Sequence, residues 1–238
     1  MVAPHPLLNV PPGAPVRDGI VDLAPEVPAG AGLAQRVMEL PGVGHVYEAG
    51  IRPLLTRLVG GPRYAEEAAF LDRWLVPLAG PVLDVACGTG RYTRHLARRH
   101  GAERVIGLDI SWPMLREARQ QAPELCFVRG SAQALPLPDA CLGAACTLGA
   151  LHLFPDPEGA LVELGRVLQD GAPLVVLTAT EPDRDGVVGL LHGVGHVIRL
   201  QFLPRRKLLA GLEAGGLDVL AERAHGAMRL LAARRRGR

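Results

Sequence analysis

One stretch of the chain concentrates residues suited to holding a nucleoside-like ligand: Leu83-Asp84-Val85-Ala86-Cys87-Gly88-Thr89-Gly90-Arg91-Tyr92. A short apolar run leads into two glycines and then into a helical pattern. Gly88 and Gly90 carry no Cβ, so the backbone can turn sharply and a ligand can lie against it. Such loops stand outside the carboxyl ends of strands, where open α/β sheets bind ligands. Asp109 follows Gly90 by 19 residues, at the end of the next apolar run. A carboxylate there can accept hydrogen bonds from both hydroxyls of a ribose.

Two ligands share this layout. A dinucleotide site needs G-x-G-x-x-G, and its third glycine position is Thr93 here, whose side chain blocks the close helix–strand packing of that fingerprint. S-adenosylmethionine (SAM) has no pyrophosphate to seat on a helix N-terminus. Asp84, just before the loop, favours SAM, because a carboxylate suits an ammonium or sulfonium and repels a pyrophosphate. Methyl transfer from a sulfonium is an in-line displacement. Alignment alone supplies up to ~7–11 kcal/mol, so a base is required only if the acceptor must lose a proton. His152, in Leu148-Gly149-Ala150-Leu151-His152, is the candidate base, with a structural histidine as the alternative. His45, His192 and His196 are weaker candidates. The last two are four apart, a metal-compatible spacing without a third ligand, so no metal is expected.

The elements that position these residues follow from periodicity. Seven prolines within residues 1–30 read as an irregular arm. Val46–Val59 and Tyr64–Ala79 read as helices, the second with Ala68, Leu71, Leu75 and Leu78 on one stripe and Glu66, Glu67 and Arg73 mostly off it. Strands are expected at Val82–Ala86, Arg104–Leu108, Leu125–Val128, Cys141–Cys146 and Pro173–Thr178. Helices are expected at Arg91–His100, Ser111–Gln121 (Ser111 as N-cap) and Glu158–Gln169. A further helix is expected over Val187–Leu200 and another over Pro204–Ala214. Two strands, Leu217–Ala224 and Ala227–Ala233, then meet at His225-Gly226. The expected fold is α/β: a Rossmann-like, doubly wound, mostly parallel seven-stranded sheet with an antiparallel C-terminal hairpin. Residues 1–79 would form an arm and helical lid, and residues 80–238 the ligand-binding domain.

Composition narrows the partners. The chain has 238 residues, 48 % hydrophobic and 21 % charged, enough for a core without disulfide or metal staples. A net charge of +2 and 4 % aromatic residues argue against nucleic acid as the partner. Apolar stretches are broken before the length needed to span a bilayer. The four cysteines form no C-x-x-C pair, and residues 1–15 lack the charged and apolar regions of a signal peptide, so a cytoplasmic setting is expected.

The runs LDVACGTG, GLDISWPML, RGSAQALPLPDA and ALHLFPDPEGALVELGRVLQDGAPLVV resemble, in this order, the class I SAM-dependent methyltransferases. The resemblance is greatest to the ubiquinone/menaquinone C-methyltransferase branch, over roughly residues 80–180. It implies SAM as cofactor. Asp84, Ala86, Cys87, Gly88, Thr89 and Gly90 would lie along its methionine end, Asp109 at the ribose, and Ile110 and Met114 against adenine. Ser131, Ala132 and Gln133 would lie at the adenine edge, and Thr147 and Leu148 at the methyl-transfer end. Cys87 is not implied as a nucleophile. In this fold the N-terminal helices often close over the donor, so Tyr47 or Tyr64, beside Arg52, could meet the SAM carboxylate or the acceptor. Ordinary helix-edge aromatics explain them equally. Phe154, Leu190, Val194, Ile198 and Phe202 could line an apolar acceptor pocket, and a core stripe explains the last four as well. The segment VRDGIVDLAPE, followed by Val46-Tyr47-Glu48, is similar to relatives that begin with a zinc-bearing module, including an rRNA guanine methyltransferase. No cysteine precedes Cys87, so a metal-free lid is the simpler reading. The function implied is methyl transfer to a small, apolar, quinone-like or secondary-metabolite acceptor. The alternatives are an RNA base methyltransferase, or a SAM-binding protein with other chemistry or a scaffolding role.

Overall fold

Runs such as Val82–Val85 and Val105–Asp109 are buried along their whole length, so they can only sit inside a sheet covered on both faces. The structure, a computed structural model, describes residues 5–24, 38–40, 42–46, 50, 52–58, 60–75, 80–181 and 202–237. In chain order the strands are β1 (Val16–Arg17), β2 (Ile20–Asp22), β3 (Val82–Val85), β4 (Val105–Asp109), β5 (Cys126–Arg129), β6 (Ala144–Leu148), β7 (Pro173–Ala179), β8 (Leu217–His225) and β9 (Met228–Arg235). The helices are α1 (Val43–Val46), α2 (Arg52–Leu58), α3 (Tyr64–Trp74), α4 (Arg91–His100), α5 (Trp112–Gln121), α6 (Pro157–Val167) and α7 (Arg205–Ala214).

Among the described residues the sheet order is β1-β2-β5-β4-β3-β6-β7-β9-β8. The six strands from β2 to β7 run parallel, and β9 and β8 close the other edge as an antiparallel hairpin. The doubly wound α/β sheet and its C-terminal hairpin match expectation, but the sheet has nine strands rather than seven. Both additional strands come from the arm read as irregular. Asp18-Gly19, at φ 52° and 75°, makes the tight turn between β1 and β2. Ile20 is fully buried there, and the Leu23 N–H donates to the Arg129 carbonyl at 2.8 Å. An Arg129–Asp22 ion pair at 3.0 Å fastens β2 to β5.

Of the helix expected over Val46–Val59, the described residues show α2 at Arg52–Leu58, and α1 over Val43–Val46 at its start. The strand expected at Cys141–Cys146 is β6, which begins at Ala144, three residues later, because the Cys141 and Leu142 amides both donate to the Val167 carbonyl instead of the sheet. Tyr47, the side chain of His45, and the expected helix over Val187–Leu200 with Leu190, His192, Val194, His196 and Ile198 lie outside the described residues.

Alternation along the strands sorts the core onto the two faces. Leu83, Val85, Ile106, Leu108 and Val176 pack with Leu161, Leu164, Leu208 and Leu212 of α6 and α7. Val82, Val105, Cys146, Leu148 and Leu177 pack with Phe70, Leu71, Tyr92 and Leu96 of α3 and α4. With β4 on one side of β3 and β6 on the other, the chain's crossovers diverge at β3, and its carboxyl end opens the crevice where such sheets bind ligands. Helices α6 and α7 approach closely at glycine: a Cβ on Gly165 would run into the Gly215 carbonyl. Gly165→Ala is therefore expected to cost about 1–3 kcal/mol of stability, read as a lower urea midpoint; an unchanged midpoint would contradict this packing.

Candidate active site

The glycine loop begins with a strained residue. Ala86, directly after β3, has φ 56°, a conformation side chains rarely adopt, and Gly88 and Gly90 follow at 56° and 76°. The Cys87 N–H donates to the Leu108 carbonyl at 3.0 Å, which ties the loop to β4. A Cβ on Gly90 would sit 3.0 Å from the Phe127 ring and 3.1 Å from the Ala118 methyl, whereas one on Gly88 would meet nothing within 4 Å. The loop is thus tightly backed at Gly90 and open at Gly88.

Asp109 closes the tip of β4. Its Oδ2 accepts the Gly88 N–H at 2.7 Å and its Oδ1 accepts the Ser111 N–H at 2.8 Å. Burial raises its pKa, and these amides oppose the shift. With the Ile110 amide also bonded to it, the carboxylate still has acceptor capacity for a ribose hydroxyl. This satisfied but unsaturated carboxylate beside an open glycine fits the nucleoside of SAM.

Asp84 is placed differently from a ligand-lining residue. It is 1 % exposed; Thr93 Oγ1 donates to its Oδ2 at 2.6 Å and Cys146 Sγ to its Oδ1 at 3.5 Å. Burial is the largest influence on its pKa, which is pushed up to about 6. Thr93, where a dinucleotide fingerprint requires glycine, bonds α4 to β3 through this acid.

Around the nucleoside end, Ile110 is half-buried and Met114 is 2 % exposed on α5, whose first turn is capped by Ser111. Ser131 Oγ accepts the Gln133 N–H at 3.2 Å, Ala132 is half-buried and Gln133 exposed. Arg129 Nε, donating to the Ile110 carbonyl at 2.9 Å, holds this turn beside the end of β4. Thr89 and Cys87 are buried in the loop. Thr147 and Leu148 lie within β6 rather than beyond it. Thr147 is fully buried, and its Oγ1 has no hydrogen-bond partner among the described residues.

The sequence reading set Glu67 mostly off the apolar stripe; the structure buries it under the site. Tyr92 donates its hydroxyl to Glu67 Oε2. Arg52 Nη2 donates to the Tyr92 oxygen at 2.6 Å and to Glu67 Oε2 at 3.2 Å. Burial raises the Glu67 pKa, opposed chiefly by Arg52. The Arg91 guanidinium lies 3.9 Å over the Tyr64 ring, itself 5.6 Å from Tyr92. Tyr64 is thereby built into a cluster joining α2 and α3 to the helix after the glycine loop. Phe154 packs against the α6 face and Phe202 against the α3 face, so the two do not share one core wall.

His152 sits on a single helical turn, Leu151–Leu153, beyond β6. Its Nδ1 accepts the Ala179 N–H at 3.2 Å and lies 3.4 Å from Thr178 Oγ1. Burial lowers its pKa to about 4, so the ring is neutral near pH 7. Among the described residues no group of three or more His, Cys, Asp or Glu could hold a metal ion, and no helix is long and apolar enough to cross a membrane.

This fold, with a glycine loop and an acid at the tips of adjacent parallel strands, is the Rossmann-like α/β arrangement that the sequence leads one to expect. Residues 82–171 match the family described as a methyltransferase domain. The chain is 39 % identical over 126 residues to a demethylmenaquinone methyltransferase of Thermus thermophilus, covering 51 % of this chain and 57 % of that protein. It is 41 % identical over 110 residues to a demethylmenaquinone methyltransferase of Lactiplantibacillus plantarum, covering 43 % of this chain and 46 % of that protein. The chain therefore spans about half the length of the curated relatives it matches. Among solved structures, geranyl diphosphate C-methyltransferase of Streptomyces coelicolor shares the fold at a TM-score of 0.62 and 18 % identity, over 72 % of this chain and 76 % of that one.

Asp109→Ala is expected to weaken SAM roughly 10–100-fold by calorimetry, since it removes a charged acceptor and frees two loop amides. The Asp84 carboxyl, raised in the folded state to about 6 from 3.8, contributes stability that is present below the unfolded value and lost as pH rises through about 6. In urea titrations Asp84→Asn should flatten the stability curve across that window; a curve parallel to the parent's would contradict the assignment.

Proposed function

We propose that the chain is a SAM-dependent methyltransferase acting on a small, apolar, quinone-like acceptor. The observation that carries the reading is the Asp109 carboxylate, bonded to the Gly88 and Ser111 amides beside an open glycine at the carboxyl ends of β3 and β4. In this reading Asp109 accepts the ribose hydroxyls, and Ile110, Met114 and the Ser131–Gln133 turn surround adenine. Gly88 and Gly90 let the methionine portion lie against the backbone. SAM supplies an electrophilic methyl group on a sulfonium. Asp84 keeps the loop on α4, and the Arg52–Glu67–Tyr92 cluster holds the lid helices against it.

The quinone-like acceptor is supported by the relatives named demethylmenaquinone methyltransferase. Leu148, at the end of β6, suits an apolar ring. Residues 1–79 would serve as arm and lid, with β1 and β2 of the arm joined to the sheet of the transferase domain over 80–238. The free thiols Cys87, Cys126, Cys141 and Cys146 suit a cytoplasmic enzyme.

The test pairs calorimetry with transfer of a labelled methyl group. The chain should bind SAM and its demethylated product and should methylate demethylmenaquinol. Failure to bind either nucleoside sinks the enzyme reading; binding without transfer to the quinol sinks the acceptor class.

A further inference from the structure

Resting on that methyl-transfer reading, we propose that His152 acts as a hydrogen-bond donor through Nε2–H to an acceptor oxygen that carries negative charge, and not as the base that removes a proton. The acceptor is then a phenolate or enolate whose neighbouring carbon is methylated. The argument starts from the ring's other edge. A backbone N–H can only donate, so Nδ1, which accepts from Ala179 at 3.2 Å, carries no proton, and Thr178 Oγ1 lies on the same nitrogen at 3.4 Å. A neutral imidazole with a bare Nδ1 must hold its proton on Nε2. Nε2 is thereby a donor, and the bond to Ala179 directs it away from β7. A base acting through Nε2 would need the opposite tautomer, at the cost of the Ala179 bond.

The surroundings favour an anion there. Arg229 is directly opposite Thr178 across β7 and β9, so it shares that face of the sheet with Thr178. It is 7 % exposed, and its Nε donates to Thr180 Oγ1 at 3.3 Å. Glu222 lies 3.9 Å from Arg229 Nε and is also bonded to Arg205. A buried guanidinium on the same face of the sheet as Thr178 favours an acceptor oxyanion over a neutral hydroxyl. The acceptor loses its hydroxyl proton to water on binding. An electron pair moves from oxygen through the ring to the neighbouring carbon, the carbon–methyl bond forms as the sulfur–methyl bond breaks, and that carbon's own proton leaves to water as the phenolate is restored. No protein base takes part, and charge balances: an anion and a cation yield the methylated anion, neutral demethylated cofactor and one proton.

Two measurements test this. Nitrogen-15 NMR of the histidine rings, with His152 assigned by its loss in His152→Gln, should find the proton on Nε2; a proton on Nδ1 overturns the proposal whether or not any acceptor is turned over. In transfer assays with naphthohydroquinone, His152→Gln retains an amide N–H near the Nε2 position and should keep turnover within about fivefold, while His152→Leu should lose roughly 10–100-fold. Equal losses in both variants, of the ~10²–10⁴-fold expected for a missing base, overturn it. The dimethyl ether of the same ring, which has no ionisable hydroxyl, should not be methylated; its methylation also overturns the proposal. If the parent chain binds SAM yet methylates no hydroxyl-bearing ring, this acceptor assignment falls while SAM binding stands. If it binds no SAM, the methyltransferase reading itself falls.

Discussion

The site depends on one carboxylate that joins two strand tips. Asp109 ends β4 and accepts the amide of Gly88 from the loop after β3, so the loop's shape is set by a side chain of the neighbouring strand. A glycine turn alone has too many conformations to present a defined surface. The backbone bond from Cys87 to Leu108 and the side-chain bond to Asp109 remove that freedom. The same acid, through the Ser111 amide, also fixes the start of α5, and with it Met114. On the methyl-transfer reading, a ribose-binding group that doubles as the loop's anchor is preorganised, and ligand binding need not order it.

A second constraint runs beneath the loop through buried acids. Asp84 joins β3, α4 and β6 through Thr93 and Cys146, and Glu67 joins α2, α3 and α4 through Arg52 and Tyr92. Removing one partner from such a cluster leaves a buried polar group unmet, which costs more than the bond itself contributes. The helices preceding the sheet are therefore fixed to the first residues of α4, the helix whose N-terminus forms the glycine turn.

Much of this was legible in the sequence because local pattern and global fold agree at the sheet's centre. The buried strands, the Ser111 cap and the Gly88–Gly90 turn follow from period, capping and glycine chemistry. The C-terminal hairpin appeared through its His225-Gly226 turn. What escaped was long-range. The β1–β2 hairpin was masked by the surrounding prolines, although Asp18-Gly19 between Val16 and Ile20 was the available signal. Glu67 looks like a solvated helical residue, and only the approach of Arg52 and Tyr92, 15 and 25 residues away, makes its burial tolerable. His152 could be singled out as chemically relevant, but its tautomer is fixed by an amide 27 residues later, which no local pattern encodes.

Two buried acids with raised pKa values, Asp84 and Asp109, lie at the strand tips of one crevice, and the charge they would meet explains why such an arrangement persists. Asp109 further raises Asp84. Negative charge concentrated in a low-dielectric site is unfavourable by itself and becomes favourable when a cation enters. A sulfonium donor brings that cation, and its demethylated product does not carry it at sulfur. On the methyl-transfer reading, the field that draws in the donor weakens its hold once the methyl has left, so the acids would favour turnover in one direction without touching the reacting carbon.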